Sequence, residues 1–542
     1  MFDWHNPYQS SRAPVFARDL VATSQPLAAQ AGLGMLQRGG NAVDAAVCAA
    51  AVIALTEPCS NGLGADNFAI VWDGSQLHGL NASGTAPDAW TLDYFVRRYG
   101  TDLARDRPLR GWDTVTVPGA VAGWAALHGR FGALPFGDVL APAIDYAERG
   151  FAVSPITQEK WRLAVPLLRD QPGFAEHFMP RGRAPAVGEH FTPSGAARTL
   201  RLIAESRGEA FYRGAIGAAI AADARAHGGA LTEADLAGYQ PAWVGTIAVD
   251  FAAHELHQIP PNGQGIAALA CLGILRHTPL ADLAAGPGGI DQPAAQHLMI
   301  EAMKLAFADV YAQVADPRSM TVSSAQMLDP DYLRQRARLI DPQRAQVFGA
   351  GQPARGGTIY LCSADRSGMM VSLIQSNYMG FGSGVVVPGT GVALQNRGHG
   401  FAFEPGHPNV VGPGKRPFHT IIPAFLTRAG QPQMSFGVMG GNMQPQGQVQ
   451  TLARMLLAGQ QPQAACDAPR WKWSGGLQIE LEAHWPASLC SDFAALGHQI
   501  VSGDDSYMDF GSGQFIWRLG DPARDGYVAA SDGRRDGQAC GY

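Results

Sequence analysis

The residues of this chain that could do chemistry do not form any of the common catalytic motifs. The sequence has no complete G-x-G-x-x-G, no P-loop, no H-E-x-x-H and no G-x-S-x-G, so a dinucleotide enzyme, an NTPase, a zincin and an α/β-hydrolase lose their simplest support. The 15 histidines show no metal-ligand spacing, and none of the seven cysteines forms a C-x-x-C pair. We therefore predict no bound metal, no cofactor and reduced thiols instead of a disulfide framework.

Short segments spread along the chain carry a resemblance to a known family. In chain order they are Gly39-Gly40-Asn41-Ala42-Val43-Asp44, Ser60-Asn61-Gly62-Leu63-Gly64, Val117-Pro118-Gly119, Phe381-Gly382-Ser383-Gly384, Met439-Gly440-Gly441 and Asp467-Ala468-Pro469-Arg470. In this order they resemble the γ-glutamyltransferase (glutathione hydrolase) family over nearly the whole chain. The pattern is specific for the family and says much less about the substrate.

The resemblance implies an N-terminal-nucleophile hydrolase that is made as one inactive precursor. Such a precursor cuts itself before a threonine, which then becomes the catalytic nucleophile. The matching position is Thr358, so the cleavage site would be Gly357–Thr358. The products would be residues 1–357 and 358–542, the large and small subunits of one globular unit. The family usually has Thr-Thr-His here, whereas this chain has Thr358-Ile359-Tyr360, which indicates a divergent branch.

An N-terminal threonine carries its own general base. Its α-amine titrates at about 7.7–8.0, whereas the hydroxyl of an internal threonine is a poor nucleophile. Gly356-Gly357 suits the strained turn that self-cleavage needs, because glycine accepts unusual backbone angles. Without the resemblance, Thr358 would be interpreted as the first residue of a strand, where threonine is common.

Further site residues follow from the same resemblance. Ser376 matches a family hydroxyl that hydrogen-bonds the nucleophile, and Gly440 and Gly441 match a pair whose backbone N–H groups stabilise the tetrahedral oxyanion. Asn377 and Tyr378 adjoin the position of an asparagine in the substrate pocket, with the register open by one residue. Taken alone, Ser376 would be an ordinary strand serine and the two glycines an ordinary turn.

The segments that grip the substrate's α-amino acid in γ-glutamyl enzymes are altered here. Ser83 stands where the family has an arginine, Gly400 where it has an acidic residue, and His419 and Thr420 where it has two serines. These changes remove the charge-assisted hydrogen bonds that carry specificity. We therefore expect amide cleavage to be retained and γ-glutamyl groups to be poor substrates.

Arg397 is a cation at a position where the family often has glutamine. With His399 and His419 it is suited to bind a carboxylate near the scissile amide. A structural arginine paired with a nearby acid is an equally good interpretation. The surrounding pattern resembles a branch that includes oxamate amidohydrolase, and oxamate, a small amide with an adjacent carboxylate, suits Arg397.

The predicted activity is that of a self-processed threonine amidohydrolase that cleaves a small carboxylate-bearing amide through an acyl-threonine intermediate. Three alternatives stay open. One is a γ-glutamyl hydrolase or transferase with a relocated clamp, and another is an amidase similar to the cephalosporin acylases. The third is an uncleaved protein that only binds its ligand.

The distribution of residue types along the chain predicts the helices and strands that must position these residues. Residues 20–56 predict two helices, the first with Ser24 as its N-cap and the second buried on all sides. Two β-rich runs, Thr358–Ala364 and Met370–Ser376, flank a turn and predict a hairpin. A helix-rich region followed by a strand-rich region favours an α+β fold with helices layered on antiparallel sheets. The resemblance makes this the four-layer αββα sandwich of N-terminal-nucleophile hydrolases.

Composition restricts the partners. The 542 residues include 40 Lys+Arg and 46 Asp+Glu, with 46% hydrophobic and 16% charged residues. This is typical of a globular protein and lacks the basic footprint of a nucleic-acid binder. The longest apolar run, Ala45 to Leu55, is too short to span a membrane, and the first residues show no signal sequence. We expect a cytoplasmic protein whose partners are a small-molecule amide and its own paired fragments, with homo-oligomers left open.

Overall fold

Two seven-stranded antiparallel sheets packed face to face form the centre of the molecule. They are seen in a computed structural model that describes residues 11–348, 357–502 and 510–542. In chain order the strands are β1 Val15–Ala17, β2 Leu20–Thr23, β3 Asp66–Trp72, β4 Leu77–Ala82, β5 Phe151–Ala152, β6 His190–Phe191, β7 Ala242–Trp243, β8 Ile247–Phe251, β9 His254–Gln258, β10 Gly357–Ala364, β11 Met370–Tyr378, β12 Val386–Val387, β13 Val392–Ala393, β14 Ala424–Arg428, β15 Gln431–Met439, β16 Trp471–Gly475, β17 Gln478–Leu481, β18 Gln499–Ser502, β19 Ser512–Arg518, β20 Tyr527–Ser531 and β21 Gln538–Gly541.

Helices cover the outer faces of both sheets. In chain order they are α1 Pro26–Gln37, α2 Ala42–Thr56, α3 Leu92–Tyr99, α4 Leu103–Asp106, α5 Ala120–Phe131, α6 Phe136–Arg149, α7 Pro155–Leu168, α8 Phe174–Phe178, α9 Ala196–Ser206, α10 Glu209–Arg213, α11 Ala215–Ala226, α12 Glu233–Gly238, α13 Gly265–Leu275, α14 Leu280–Ala285, α15 Pro293–Gln313, α16 Ser324–Met327, α17 Pro330–Ala337, α18 Met443–Ala458, α19 Pro462–Asp467 and α20 Ala487–Ala495. None of these described helices combines the length and hydropathy needed to cross a membrane.

Each sheet contains strands from both predicted fragments. One sheet has the order β21-β2-β10-β11-β3-β4-β7, and the other has the order β1-β20-β19-β15-β14-β9-β8. Strand β10, which begins at the predicted cleavage site, pairs with β2 on one side and β11 on the other. Each sheet therefore needs residues from both sides of Thr358.

The apolar core lies in three layers that follow from strand alternation. Along β10, Tyr360 and Cys362 pack between the sheets, while Ile359 and Leu361 lie in the core that this sheet forms with helix α2 and the helices behind it. Helices α13, α15 and α18 cover the other sheet. Side chains of successive strand residues point to opposite faces, so one strand serves two cores. The α+β class and the four-layer αββα sandwich are confirmed.

The local predictions near the N-terminus are mostly confirmed. The second helix, α2, is buried along its whole length and is capped by Asn41. The predicted cap of α1 is wrong: the side chain of Gln25 accepts from Leu27 and Ala28, while Ser24 donates to Glu57 Oε2 at 2.6 Å. Leu20–Thr23, predicted as helix, forms β2 because it fills the gap between β21 and β10.

Candidate active site

The predicted hairpin forms and brings two hydroxyls together. Strands β10 and β11 pair in antiparallel fashion. Thr358 Oγ1 and Ser376 Oγ lie 3.2 Å apart, within hydrogen-bonding distance, and Thr358 is only 2% exposed. Ser376 Oγ also accepts a hydrogen bond of 2.8 Å from the backbone N–H of Tyr378. The hydroxyl of Thr358 is thus held in a fixed, water-poor position. Gly356, predicted to take part in the cleavage turn, lies outside the described residues.

A β-bulge marks the position of Thr358 in the hairpin. Gly357 pairs with Tyr378 and Ile359 pairs with Gln375, so β11 has one residue more than β10 at this point. Tyr378 itself has a positive φ of 77°. Bulges re-aim side chains and are common next to active sites.

The structure places Asn377 and Tyr378 in different surroundings. The Asn377 amide lies beside Gly62 and has no hydrogen-bond partner among the described residues. The ring of Tyr378 lies 4.2 Å from the Arg397 guanidinium carbon and 6.3 Å from the His399 ring. The bulge explains the difference, because sequence spacing gives no sign of an inserted residue.

Arg397 connects the hairpin to the segment that carries Thr420. The short 3₁₀ helix Arg397–Gly400 buries the arginine completely. Its guanidinium donates to Thr420 Oγ1 at 2.9 Å and to Ser376 Oγ at 3.4 Å. The predicted nucleophile, Ser376, Arg397 and Thr420 therefore form one hydrogen-bonded chain.

The positive charge of Arg397 has no direct counter-ion. No carboxylate of the described residues forms an ion pair with it, and its Nε has no hydrogen-bond partner. Burial lowers the pKa of Arg397 to about 10, although Asp66 opposes this. A buried guanidinium without an acidic partner is costly unless a ligand completes it. Among the described residues, the acid whose charge acts on Arg397 is Asp66, which forms no direct ion pair with it.

Asp66 is a site residue that the sequence analysis missed. It pairs with Ser376 across β3 and β11, and one carboxylate oxygen accepts from the backbone N–H groups of Gly84 and Gly119, both at 3.2 Å. Burial raises the pKa of Asp66 to about 7, against the influence of Arg397. An acid at the start of β3, shortly before the apolar run Phe68–Trp72, was the available signal, since acidic residues are rarely fully buried unless they are paired.

The two predicted histidines are neutral and do not add positive charge. His419 Nε2 donates to Asp66 at 3.0 Å, and burial together with Arg397 holds the pKa of His419 well below its usual value. His399 Nδ1 donates to the Pro108 carbonyl at 3.2 Å, and burial lowers its pKa to about 4. Each ring is buried beside an arginine, so neither histidine adds a positive charge to that of Arg397.

Gly440 and Gly441 form a turn between β15 and α18, with positive φ angles of 124° and 59°. Neither backbone N–H has an acceptor among the described residues, as an oxyanion site requires. The side chain of Gln264 donates to the carbonyls of Gly441 (2.9 Å) and Thr420 (2.7 Å). The glycine turn is thereby tied to the segment that also holds Arg397.

Two residues at the altered clamp positions, Ser83 and Gly400, carry no charge that could replace the arginine and the acidic residue of the family. The Ser83 hydroxyl donates to Asn81 Oδ1 at 2.7 Å, and Gly400 packs against the Phe418 carbonyl, where a β-carbon would approach to 2.7 Å. Arg416 Nε donates to the Ser83 carbonyl at 3.1 Å. Contacts with backbone carbonyl groups therefore occupy the place of the family's substrate clamp.

A cavity of about 210 Å³ opens next to these residues. Its walls include Arg107, Tyr311, Tyr378, His399, Phe418 and Asn442. Because Tyr378 also covers Arg397 and Asn442 follows the glycine turn, the cavity lies beside the predicted reaction centre.

A second group of polar residues lies elsewhere and was not visible in the sequence spacing. His297, Glu301 and His498 have possible ligand atoms within 4.8 Å of one another. However, His297 bonds to His498 at 2.8 Å, and Glu301 accepts from the Lys304 ammonium at 2.6 Å. A lysine beside the group opposes cation binding, so hydrogen bonding accounts for this cluster.

Comparison with known proteins agrees with this geometry. The family model described as Gamma-glutamyltranspeptidase matches residues 28–542. The chain is 35% identical to the oxamate amidohydrolase proenzyme of Klebsiella pneumoniae, covering 97% of this chain and 99% of that protein. It is 34% identical to the glutathione hydrolase-like YwrD proenzyme of Bacillus subtilis, with 85% and 86% covered.

The crystal structure of cephalosporin acylase from Bacillus halodurans superimposes with a TM-score of 0.94 at 45% identity, covering 100% of this chain and 99% of that one. Both the sequence match and the fold extend over nearly the whole molecule. The chain belongs to the γ-glutamyltranspeptidase family of N-terminal-nucleophile hydrolases and is an amide hydrolase.

Proposed function

We propose that this protein cuts itself before Thr358 and then hydrolyses a small carboxylate-bearing amide of the oxamate type. The observation that carries the proposal is the buried Arg397 guanidinium, which hydrogen-bonds Ser376 beside Thr358 and has no acidic partner among the described residues. A carboxylate next to the scissile amide would complete it through charge-assisted hydrogen bonds. The similarity to oxamate amidohydrolase at 35% identity supports the same substrate class.

The proposed mechanism uses groups of this chain alone. Cleavage at Gly357–Thr358 frees the α-amine of Thr358, which takes the proton from its own Oγ as that oxygen attacks the amide carbon. The free N–H groups of Gly440 and Gly441 hold the oxyanion. The amine passes the proton to the departing ammonia, and water then hydrolyses the acyl-threonine ester to release oxalate.

The fragments 1–357 and 358–542 stay together in this proposal, because both contribute strands to each of the two sheets. We also propose a cytoplasmic location. All seven cysteines are unpaired, and six of them are buried, which is in keeping with a reducing compartment.

Two observations favour other amide substrates. Arg416 contacts the Ser83 carbonyl and would be the relocated clamp of a γ-glutamyl hydrolase or transferase. The match to cephalosporin acylase at 45% identity favours a larger acyl group. A protein that stays uncut and only binds its ligand is the non-enzymatic alternative.

The deciding experiment starts with the intact mass of the purified protein and the N-terminal sequence of its fragments. We expect two chains, the smaller one starting at Thr358, and hydrolysis of oxamate at a kcat/KM at least tenfold above that for a γ-glutamyl anilide. Thr358→Ala should leave one chain and lower activity at least a thousandfold, whereas Thr358→Ser, which keeps a hydroxyl, should still be cut.

An uncut wild-type chain that binds oxamate without hydrolysing it would establish the binding-protein alternative. Comparable rates on the anilide would favour the γ-glutamyl alternative.

A further inference from the structure

The cavity beside Tyr378 carries a positive charge that the proposed reaction does not use. Arg107 lines it, is half-buried, and donates only to the Phe401 carbonyl at 3.1 Å. Burial lowers the pKa of Arg107, and no carboxylate of the described residues stands close enough to oppose this. The cation is therefore held partly out of water without an acidic partner.

A second arginine adds to the positive potential of the cavity. Arg110 is also largely buried and donates to the backbone carbonyls of Gly380 and Gly382. Burial lowers its pKa to about 10. Both arginines help to lower the pKa of the cavity residue His399, so their fields reach the interior of the cavity.

The other titratable groups of the cavity wall are neutral. His399 Nδ1 donates to the Pro108 carbonyl, and His407 accepts from the Asn409 N–H through Nδ1 while Nε2 donates to the Tyr311 carbonyl. No aspartate or glutamate of the described residues lines this cavity. Its net charge is positive, and Arg107 is the charged group in its wall.

The location of the cavity indicates which half of a substrate reaches it, an argument that rests on the function proposed above. In an oxamate-like substrate the acyl half ends at the carboxylate that Arg397 binds, so only the substituent on the amide nitrogen can extend further. Tyr378 covers Arg397 with its ring and also forms a wall of the cavity. Asn442, directly after the glycine turn, forms another wall.

We propose that this cavity binds a carboxylate on the leaving amine, so that the preferred substrates are amides between a small carboxyacyl group and an amino acid. N-oxalylglycine is the simplest example. Attack by Thr358 Oγ forms the oxalyl ester, and the C–N bond breaks as the α-amine returns the proton to nitrogen. Glycine leaves with its carboxylate at Arg107, and water hydrolyses the ester to oxalate.

The test compares two amides that differ only in that second charge. The kcat/KM for N-oxalylglycine and for N-oxalylglycinamide is measured with the self-cleaved wild type and with Arg107→Gln, which keeps an N–H donor for the Phe401 carbonyl but loses the charge. Arg107→Lys restores a charge. Arg105→Gln is the matched control, because Arg105 is 75% exposed and pairs with Asp106 at the surface.

We expect wild type and Arg105→Gln to prefer N-oxalylglycine by about tenfold or more, the contribution of one charge-assisted hydrogen bond. Arg107→Gln should lower the ratio of the two kcat/KM values to about one or two, and Arg107→Lys should recover part of it. Mass spectrometry of each variant verifies self-cleavage.

Three outcomes would overturn the inference. Equal wild-type values for the two amides, or a preference that survives in Arg107→Gln, would overturn it alone. If the cut protein hydrolyses neither amide nor oxamate, the proposed function falls with it.

Discussion

Two buried arginine clusters in this molecule differ in what balances their charge. Near the C-terminus, Arg534 binds Glu482 through two hydrogen bonds of 2.6 Å and Asp532 at 3.1 Å. Asp532 also accepts from Arg470 at 2.8 Å. The guanidinium of Arg397, in contrast, donates only to hydroxyl groups among the described residues, and Asp66 acts on it without a direct ion pair.

The pKa values reflect this difference. Burial opposes ionisation in both clusters, yet Asp532 and Glu482 raise the pKa of Arg534, whereas the pKa of Arg397 falls to about 10. A buried cation with carboxylates holds segments together, while one without them retains capacity for an external anion. The C-terminal cluster is structural by this criterion, and Arg397 fits the carboxylate-binding role proposed for it.

The largest effect in this comparison should come from breaking the structural cluster. Asp532→Asn removes the carboxylate that Arg470 and Arg534 share, leaves buried positive charge uncompensated, and should lower the free energy of unfolding by about 3–5 kcal/mol. Urea unfolding followed by circular dichroism measures this. Asp525→Asn, at an exposed ion pair, is the control and should change stability far less than Asp532→Asn does, because water screens surface charges. An Asp532→Asn protein as stable as wild type would contradict the comparison.

Arg397→Gln should show the opposite pattern. Losing the proposed carboxylate partner should lower kcat/KM for oxamate about a hundredfold, while the free energy of unfolding stays constant or rises because an unpaired buried charge is gone. Steady-state kinetics and urea unfolding measure the two effects. A stability loss like that of Asp532→Asn, with unchanged kinetics, would make Arg397 structural instead.

The smallest predicted effect is a pH dependence set by Asp66. Lowering the pH through about 7 protonates Asp66 and removes the negative charge that competes for Arg397. The KM for oxamate should therefore fall severalfold from pH 8 to pH 6. The kcat should also fall on the acid side, because the Thr358 amine must be neutral to act as base.

Asp66→Asn is the variant that isolates this effect, since it keeps the size of the side chain and cannot ionise. Its KM should be nearly independent of pH over the same range. The raised pKa also means that Asp66 favours the folded state at low pH and that this contribution is lost as the pH rises through about 7. A wild-type KM that does not change with pH would show that the charge of Asp66 does not affect the binding of oxamate.

The sequence was sufficient for features carried by local pattern and failed where distant segments meet. The hairpin that positions Thr358 and Ser376 is predicted by two β-rich runs around a turn, and the structure has it. The different surroundings of Asn377 and Tyr378 depend on a β-bulge, which no residue pattern in the sequence predicts. Asp66 precedes Arg397 by hundreds of residues, and their proximity arises only when β3 pairs with β11. The missing counter-ion of Arg397 is likewise a property of the packed interior.

The mixing of strands from both fragments in each sheet has a consequence for the lifetime of the protein. An intact precursor folds as one molecule, so its recovery from unfolding is independent of concentration. Cleavage before Thr358 would remove the covalent link while leaving both sheets in place. After unfolding, the two fragments would have to meet by diffusion. Refolding would then be a second-order process whose rate falls as the protein is diluted. The processed protein would then persist for as long as its unfolding rate allows, and its half-life, more than its equilibrium stability, would set its working abundance.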